Sequence, residues 1–491
     1  MVAQQVSLPP VELRIAEPDW SHLHRHLFPG DGDEHGAVLL CGMATSARSL
    51  RLLVREVVLA QDGVSYVPGI RGYRQLTGEF ISHLIRRAKD ERLAYLAVHN
   101  HGGNGDSVNF SRPDLESHER GYPTLLNLSR QPVGGLVLAQ RAVAGDIWLP
   151  DGSRRPLGRT AVIGGRVVVL TPAAQQTQLA VDARYSRQAL VFGPAGQRIL
   201  GQAKVGIVGA GGVGMLLVQT LARLGVGHLV VIDPERIDPT NLPRLPEATR
   251  LDAMLWLDHN GRPAFVRKIG RRLAHRKVHV ACRIARRADS SIIVDPVAGD
   301  VADEVTARLL TDCDFILLAA DTMLARDVVN QIAYQFLIPT LQVGSKAVID
   351  QASGDVLDIF AAVRNLGARR GCLRCNDLID LKRLGEEALG DPVQIRNQQY
   401  VDDPEVHAPS VITLNALGAG WAANALMQYL VGLRPLADGF QILRTTPVGG
   451  SHPYVTVQEP EIDPSCHVCG NKPYSAMGRG DQHDLPTRMK A

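Results

Sequence analysis

Largely apolar runs alternate with amphipathic segments over the first third of the chain. Five such runs predict strands, at 37–41, 51–60, 93–98, 134–139 and 166–170. Residues 79–89 repeat apolar side chains at helical spacing and predict a helix between strands. Residues 1–30 predict only an edge segment and a short helix. This part of the chain is therefore predicted to form an α+β domain.

From residue 184 onward the pattern changes to apolar strands separated by longer amphipathic helices. A short helix is predicted near 184–188, and strands are predicted at 204–209, 230–233 and 315–320. This alternation is typical of an α/β domain with a parallel, doubly wound sheet. The polar, turn-rich stretch at 171–178 marks the boundary between the two parts.

A length of 491 residues allows two to four domains, each with its own core. The pattern above predicts four segments. They are a first domain at 1–170, a linker at 171–183, a second domain at 184–470 and a flexible, polar tail at 471–491.

Composition excludes several function classes. The chain has 53 basic and 50 acidic residues, so its net charge gives no reason to expect a general polyanion-binding surface. The basic run at 267–277 is interpreted as a solvated helix face rather than a nucleic-acid site. No window approaches about 18 apolar residues, and the N-terminus lacks a signal-peptide pattern. We therefore expect a cytoplasmic protein with no membrane span.

A first group of chemically active residues follows the strand predicted at 93–98. His99 and His101 are one residue apart and so face the same side of the chain, and Asp114 follows a dozen residues later. Three such ligands leave the fourth position of zinc open for water, which is the mark of a catalytic site. Glu34, just before the strand at 37–41, can handle protons. The alternative is a chance histidine pair in a glycine-rich loop, with Asp114 as a helix cap.

These residues resemble the motif of the JAB/MPN metalloprotease family: a glutamate, then His-x-His, then Ser-x-x-Asp. The resemblance implies a zinc isopeptidase in which His99, His101 and Asp114 bind zinc, with Glu34 as general acid/base. It implies that Ser111 stabilises the tetrahedral intermediate. Two departures affect substrate access: Gly102-Gly103 replaces a common proline, and nine residues instead of seven separate His101 from Ser111. The histidines at 22–26 lack a carboxylate partner and are interpreted as a solvated helix face.

A second group begins with Gly209-x-Gly211-x-x-Gly214, between a predicted strand and a predicted helix. Glycines at these positions permit a tight turn and let the backbone approach a phosphate at the helix N-terminus. Asp233 ends the next strand, 19 residues after Gly214, where an acid can bind ribose hydroxyls. These features alone would suggest a dinucleotide-dependent dehydrogenase.

Asn241 and Arg244, eight and eleven residues beyond Asp233, change that interpretation. The pattern resembles the ubiquitin-activating superfamily, including its bacterial MoeB- and ThiF-type members. The resemblance also includes the motif at 184–188, Gly196-Gln197, and an Asp-x-x-x-x-Arg-x-x-x-Asn pattern formed by Asp321, Arg326 and Asn330. It runs almost without a break from 184 to 244, and then in patches to about residue 470.

The second resemblance implies ATP-dependent adenylation of a protein carboxylate. Asp233 would bind ribose, Asn241 and Arg244 the phosphates, and Asp321 a magnesium ion. Arg187 would reach across a dimer interface, which implies a homodimer. The family's Gly-x-Pro-Lys stands here as Gly-Arg-Pro-Ala at 261–264, so the lysine is missing. Lys268, one helical turn later, is expected to replace it.

Two Cys-x-x-Cys pairs, Cys372/Cys375 and Cys466/Cys469, predict a structural zinc site with four thiolates. The same two pairs occur in bacterial members of the resembled superfamily. Between Cys375 and Cys466 there is no cysteine, which argues against a conventional enzyme thioester. Ser410, with His407 as a base, is a conceivable substitute nucleophile, but a helix N-cap is the preferred interpretation of Ser410.

The prediction is therefore a bifunctional chain. One domain adenylates the C-terminus of a ubiquitin-like or sulfur-carrier-like β-grasp protein, and the other, a zinc isopeptidase, trims its precursor or removes it from conjugates. Acyl transfer would go to an external acceptor, such as a conjugating-enzyme thiol or a sulfur donor. One alternative is a biosynthetic adenylyltransferase for a sulfur carrier, peptide or cofactor precursor, with a processing protease. Another is an inactive JAB-like domain that only binds the carrier.

Overall fold

The computed structural model describes residues 9–68, 74–102, 105–173, 182–350, 353–389, 410–436, 439–446 and 452–488. These residues form two compact units. The first contains the described residues up to 173, together with 334–337 and 473–484. The second contains those at 182–333, 338–472 and 485–488. Most of the linker predicted at 171–183 lies outside the described residues.

The first unit is built on one eight-stranded sheet. Its strands are β1 (Val11–Ala16), β2 (Gly36–Thr45), β3 (Leu50–Leu59), β4 (Ala94–Asn100), β5 (Val133–Leu138), β6 (Val143–Trp148), β7 (Arg154–Ile163) and β8 (Val167–Leu170). They lie in the order β1-β3-β2-β4-β5-β6-β7-β8, and β1 also pairs with β7, which closes the sheet. The helices are α1 (Glu17–Leu27), α2 (Gly78–Asp90) and α3 (Arg112–Ser129). The predicted α+β organisation is present.

β2 is apolar throughout because both of its faces are buried. Ala37, Leu39 and Cys41 point into one core cluster, which also receives Leu23 and Leu27 of α1. Val38 and Leu40 point into the opposite cluster, where they meet residues of α2. A strand that is buried on both faces has a continuously apolar sequence rather than alternating apolar and polar residues.

Strands β6 and β7 were not predicted from the sequence, and β1 was predicted only as an edge segment, because buried charges interrupt their apolar pattern. Glu12 of β1 is buried, accepts a hydrogen bond from Arg159 at 2.9 Å and lies 3.5 Å from Arg51. In β6, Asp146 accepts two hydrogen bonds from Arg154 of β7, at 2.7 and 2.9 Å. Ion pairs between neighbouring strands neutralise these charges, so charged residues can be buried within the closed sheet.

The structure differs from the flexible tail predicted from residue 471. Residues 473–484 pack on β3 of the first unit, and Ser475 and Ala476 are fully buried. Arg55 of β3 donates hydrogen bonds to the carbonyls of Pro473, Ser475 and Met477, at 3.1, 3.0 and 2.5 Å. Small residues permit the contact, since a Cβ on Gly42 would lie 2.1 Å from the Gly478 carbonyl oxygen. Polar composition therefore did not indicate disorder here.

The second unit also contains an eight-stranded sheet. Its strands are β9 (Lys204–Val208), β10 (His228–Ile232), β11 (Ile293–Val297), β12 (Phe315–Leu318), β13 (Thr340–Ile349), β14 (Val356–Leu366), β15 (Phe440–Thr446) and β16 (Tyr454–Gln458). Their order is β11-β10-β9-β12-β13-β14-β15-β16. The first five are parallel, and the last three join them antiparallel. The predicted α/β arrangement is present, with an antiparallel extension that was not predicted.

Eight helices accompany this sheet among the described residues. They are α4 (Ser186–Gln202), α5 (Gly212–Leu224), α6 (Ala264–Leu273), α7 (Lys277–Ala288), α8 (Glu304–Arg308), α9 (Met323–Gln335), α10 (Leu381–Leu389) and α11 (Ile412–Leu430). Helix α5 follows β9 directly and packs against α7 and α11. The carboxyl ends of β9, β10 and β12 therefore meet at one edge of the sheet, which is where ligands bind in open α/β folds.

None of the helices in the described part of the chain is long and apolar enough to cross a membrane.

The anchoring of the tail by Arg55 can be tested by substitution. Arg55→Ala should lower the free energy of unfolding by about 2–4 kcal/mol, because buried carbonyls would lose a charged donor. Arg25→Ala, at an exposed position of α1, is the matched control and should change it by less than about 0.5 kcal/mol. Urea unfolding of the full chain measures both. Equal stability of the two variants would show that Arg55 does not anchor the tail.

Candidate active sites

His99, at the end of β4, and His101, just after it, converge on Asp114 in the first turn of α3. The two Nε2 atoms lie 3.2 Å apart. The Nε2 atoms of His99 and His101 are 3.5 and 3.3 Å from the carboxylate oxygens of Asp114. A tetrahedral zinc ion with bonds of about 2.1 Å requires ligand separations of about 3.4 Å. The spacing of these three groups therefore fits zinc.

Ser111 orients Asp114 rather than pointing into open space. It is the N-cap of α3, and its hydroxyl and backbone N–H each donate to Oδ2 of Asp114 at 2.7 Å. Burial raises the pKa of Asp114, but hydrogen bonds with His101, His99 and Ser111 outweigh burial and hold that pKa well below its usual range. Asp114 is thus held as a carboxylate, the form that binds a cation. Asp114 therefore completes the capping box at the N-terminus of α3, and it also lies within ligand distance of the two histidines.

Glu34 lies half-buried at the start of the segment that enters β2. Burial raises the pKa of its carboxyl, while the charges of His99 and His101 act in the opposite direction. The next residue, His35, is tied to Asn100: its N–H donates to Asn100 Oδ1 at 2.6 Å, and its carbonyl accepts from Asn100 N–H at 3.3 Å. Asn100 sits between the two histidines, so this clamp brings the Glu34 segment beside them.

In the second unit, the glycine turn after β9 is a close-packed feature. Gly209 has a φ of +94°, and a Cβ there would lie 2.8 Å from the backbone at Ala319 and Ala320, which precede Asp321. A Cβ on Gly214 would lie 1.8 Å from the Gly209 carbonyl oxygen. At Gly211, the residue before α5, a Cβ would meet no described heavy atom within 4 Å. This turn leaves room at the N-terminus of α5, where the helix dipole favours a phosphate.

Asp233 follows β10 and is almost fully buried beside the same turn. Its Oδ2 accepts from the Ala210 N–H at 2.7 Å, and its Oδ1 accepts from the Glu235 N–H at 2.8 Å. Burial raises the pKa of Asp233, against the opposing charge of Lys277. Each carboxylate oxygen keeps a second lone pair, which is what a ribose hydroxyl would need.

Asn241 and Arg244 lie in the segment that follows Asp233. Asn241 is buried, and its Oδ1 accepts from the Asp238 N–H at 3.2 Å. Arg244 is partly exposed, and its carbonyl oxygen would lie 3.4 Å from a Cβ on Gly212 of α5. The segment with the amide and the guanidinium thus passes beside the first turn of α5.

Lys277, which was not singled out in the sequence, lies near Asp233. Lys277 begins α7, is buried, and donates from its ammonium to the carboxylate of Glu235, two residues after Asp233. Lys268, the predicted substitute, is exposed on α6. It is about 200° around that helix from Gly270, the buried residue of α6. The signal that could have found Lys277 is its position at the start of an amphipathic helix that leads into β11.

Arg187 and Asp321 are both exposed. The motif at 184–188 is fixed by its other side chains: Arg184 and Tyr185 contact Asp289 at 3.1 and 2.8 Å, and Gln188 donates to the Leu224 carbonyl at 2.9 Å. Arg187, in the first turn of α4, is left facing outward. Asp321 lies just after β12, next to the residues that contact Gly209.

Four cysteine sulfurs form a compact cluster. The Sγ atom of Cys372 lies 3.6 Å from that of Cys375 and 3.8 Å from that of Cys466. The Sγ atoms of Cys375 and Cys469 are 3.5 Å apart. Tetrahedral zinc with Zn–S bonds of about 2.3 Å requires sulfur separations of about 3.8 Å. Hydrogen bonds among the sulfurs lower the pKa of Cys466 and raise the pKa of Cys372 and of Cys469. The predicted ligand set therefore fits a structural zinc ion.

Helix α9 connects this cluster to Asp321. Asn330, fully buried on α9, accepts from the Leu373 N–H at 2.9 Å. Asp327 of α9 pairs with both Nε and Nη2 of Arg374, at 2.5 and 2.6 Å. A zinc ion at the cysteines would therefore stiffen the helix that starts beside Asp321. This contact gives the motif residue Asn330 a structural role.

The preferred interpretation of Ser410 as a helix cap is wrong. The N-cap of α11 is Val411, and no side chain caps this helix. Ser410 is exposed, and its Oγ accepts a hydrogen bond from Asn415 at 3.2 Å. His407 lies outside the described residues.

Comparison with known proteins covers the second unit. The ThiF family matches residues 185–468, more than half of the chain. The chain belongs to the ThiF family. Residues 1–184 lie outside this ThiF family match, so their likeness to a metalloprotease rests on their own residues.

Individual relatives of this ThiF family chain include three bacterial or archaeal proteins. The "Sulfur carrier protein ThiS adenylyltransferase" of Bacillus subtilis (strain 168) is 31% identical over 160 residues, 32% of this chain and 42% of that protein. The "SAMP-activating enzyme E1" of Haloferax volcanii is 30% identical over 30% of this chain and 48% of its own length. The "Molybdopterin-synthase adenylyltransferase" of Salmonella typhimurium is 30% identical over 42% of this chain and 70% of its own length. The chain thus spans less than half of the first two relatives.

Among solved structures, "Crystal structure of E. coli MccB" covers 60% of this chain and 74% of its own, at 20% identity and a TM-score of 0.43. A score this low does not support a detailed comparison of the two molecules.

The cysteine cluster makes a direct prediction about metal content. Cys466→Ser should remove one equivalent of zinc per chain and lower the thermal midpoint, because a ligand that closes a tetrahedral site is lost. Elemental analysis of the purified chain and a thermal scan measure both effects. Cys282→Ser, a buried cysteine outside the cluster, is the control and should keep its zinc. Full zinc content in the Cys466 variant would rule out the four-thiolate site.

Proposed function

We propose that the second unit uses ATP to adenylate the C-terminal carboxylate of a ubiquitin-like or sulfur-carrier protein. The observation that supports this most directly is the buried Lys277 beside Asp233, at the glycine turn of a ThiF family chain. A triphosphate carries more negative charge than the pyrophosphate of a dinucleotide, so a cation beside this turn favours ATP, although the Lys277 ammonium also pairs with Glu235. The names of two relatives, a sulfur carrier protein adenylyltransferase and a SAMP-activating enzyme E1, support a protein substrate for this chain as well.

In the proposed reaction, the carboxylate oxygen of the protein attacks the α-phosphorus, and the bond to pyrophosphate breaks. Asp233 holds the ribose, while Asn241, Arg244 and Lys277 hold the phosphates and neutralise their charge. Asp321 would hold a magnesium ion, which would supply further neutralisation of the phosphate charge. Arg187 faces outward and is available to a neighbouring copy of the chain, so we propose a homodimer. The chain's own contribution is positioning and charge.

The acyl group then requires an acceptor. The sequence has no cysteine between Cys375 and Cys466. Cys41 and Cys313 are fully buried, and burial raises the pKa of the Cys41 thiol. A buried, protonated thiol is a poor nucleophile. We therefore propose that the adenylate is passed to an external acceptor, such as a conjugating-enzyme thiol or a sulfur donor.

Substitution of two lysines tests which of them contacts the phosphates: Lys277, which lies near Asp233, or Lys268, which the sequence predicted. Lys277→Ala should weaken ATP binding by at least about tenfold, because a charged contact to phosphate is lost. Lys268→Ala should bind ATP as the wild-type chain does, since its amine is exposed on α6. Calorimetric titration with ATP and magnesium measures both affinities. If the Lys268 variant is the weaker binder, Lys277 is not the phosphate ligand.

We propose that the first unit is a zinc peptidase that acts on the same carrier protein, either on its precursor or on its conjugates. The spacing of His99, His101 and Asp114, with Glu34 beside them, supports this proposal. Zinc supplies a Lewis acid at neutral pH when bound. Glu34 would take the proton of the attacking water and return it to the leaving amine, which its raised pKa favours. Ser111 acts on Asp114, which it orients.

A second candidate function for this unit is binding without cleavage. The structure motivates it because Ser111, the expected stabiliser of the tetrahedral intermediate, is hydrogen-bonded to Asp114 instead. In that case the unit would recognise the carrier but leave its peptide bond intact.

Two substitutions separate the peptidase from the binding module. His101→Ala should lose one zinc equivalent and all cleavage, whereas Glu34→Gln should keep its zinc and lose at least about 100-fold in cleavage rate. Elemental analysis and cleavage of a β-grasp precursor, extended beyond its terminal glycine, provide the measurements. Zinc retention with no cleavage by the wild-type chain would instead favour the binding module.

A further inference from the structure

Two arginines of the second unit form a half-buried pair near Asp321. Arg326 lies one turn into α9, and Arg364 lies on β14. Arg364 donates from Nη1 to Oε1 of Gln342 on β13 at 2.5 Å. Arg326 reaches the Leu378 carbonyl from Nη1 at 3.5 Å, and its buried Nε has no hydrogen-bond partner. Gln342 is in register with Leu318 at the end of β12, so Arg364 lies at the sheet edge where α9 begins, and the charge of Arg326 acts on Arg364 there.

Neither guanidinium forms an ion pair with a carboxylate in the described part of the chain. Asp321 and Glu387 act on Arg326 only at longer range, and Arg383 adds a third positive charge. Glu387 is also engaged elsewhere, since its Oε2 accepts from the Leu324 N–H at 2.8 Å. If Asp321 holds magnesium, its charge is not available to Arg326. The pair therefore carries an excess of positive charge.

A neighbouring arginine shows how this chain normally treats a buried guanidinium. Arg374 makes a two-point pair with Asp327 on α9, at 2.5 and 2.6 Å. Arg326 is on the same helix, one residue before Asp327, yet no carboxylate of the described residues pairs with it. Burying a charge without a counter-ion opposes folding. Consistent with this, burial lowers the pKa of Arg326 and lowers that of Arg364 to about 10.

We propose that Arg326 and Arg364 form a binding site for an oxyanion of the adenylation reaction, which supplies the missing counter-charge. The site lies on the strands and the helix that follow Asp321, so an anion held there would be near the reacting phosphate. Two groups share the required chemistry: the pyrophosphate part of ATP and the terminal carboxylate of the protein substrate. The inference rests on the proposed adenylation for the identity of the anion, but the site itself does not require activity.

Arg364→Gln tests the site because it removes one charge and keeps a group that can hydrogen-bond to Gln342. If Arg326 and Arg364 lack a counter-charge when no anion is bound, this variant of the full chain should be at least as heat-stable as the wild type, because the repulsion between the two guanidinium groups is removed. Arg374→Gln is the matched control and should be less stable, since it leaves Asp327 buried and unpaired. A purely structural role for Arg364 predicts instead that both variants lose stability.

Ligand binding gives the second measurement. The probes are inorganic pyrophosphate and a short peptide ending in Gly-Gly, with either a free or an amidated C-terminus. At least one probe should bind the wild-type chain, and its affinity should fall by about tenfold or more in Arg364→Gln. Binding of pyrophosphate identifies the nucleotide as the source, and binding of the free but not the amidated peptide identifies the carboxylate.

Three results would overturn the proposal: a stability loss in Arg364→Gln as large as in Arg374→Gln, no binding of either probe to the wild type, or equal binding to wild type and variant. Failure of the adenylation proposal is recognised separately. A wild-type chain that binds pyrophosphate or the peptide through Arg364, yet never exchanges pyrophosphate into ATP, would keep the anion site and reject the reaction.

Discussion

The nucleotide site of this chain depends on how closely α5 approaches the turn after β9. Only a residue without a side chain fits at Gly214, since a Cβ there would collide with the Gly209 carbonyl oxygen. The approach brings the N-terminus of α5 beside Asp233 and beside the end of β12, which leads to Asp321. With the helix dipole, a buried acid and a buried ammonium at one place, the protein can hold a charged ligand without rearrangement.

Charge placement connects this site to the rest of the second unit. Lys277 and Arg374 have carboxylate partners, whereas no carboxylate of the described residues pairs with Arg326 or Arg364. Asn330 and Asp327 of helix α9 bind the segment that carries Cys372 and Cys375, and Arg326 of the same helix is affected by the charge of Asp321 at longer range. The cysteine cluster is therefore connected to the proposed nucleotide site, because the segment that carries Cys372 and Cys375 is hydrogen-bonded to α9, which begins just after Asp321.

Much of this architecture follows from local sequence signals, and the failures have identifiable causes. The ligand clusters were predictable because each is set by short spacings: His99 to His101, and Cys372 to Cys375. The position of Lys277 beside Asp233 was not predicted, because α6 separates Lys277 in sequence from the Gly-Arg-Pro-Ala segment at 261–264, where the family lysine is expected. β6 and β7 were not predicted, and β1 was predicted only as an edge segment, because buried ion pairs interrupt their apolar pattern. The packing of the tail depends on Arg55, more than 400 residues away, which no local pattern reveals.

The central claim is that this site activates a protein carboxylate with ATP. Exchange of labelled pyrophosphate into ATP by the wild-type chain tests it most directly, with a β-grasp protein that ends in a free glycine and with the same protein lacking its last two residues. The account predicts exchange with the first protein and none with the second. Equal exchange with both proteins, or tight NADH binding without any exchange, would contradict it.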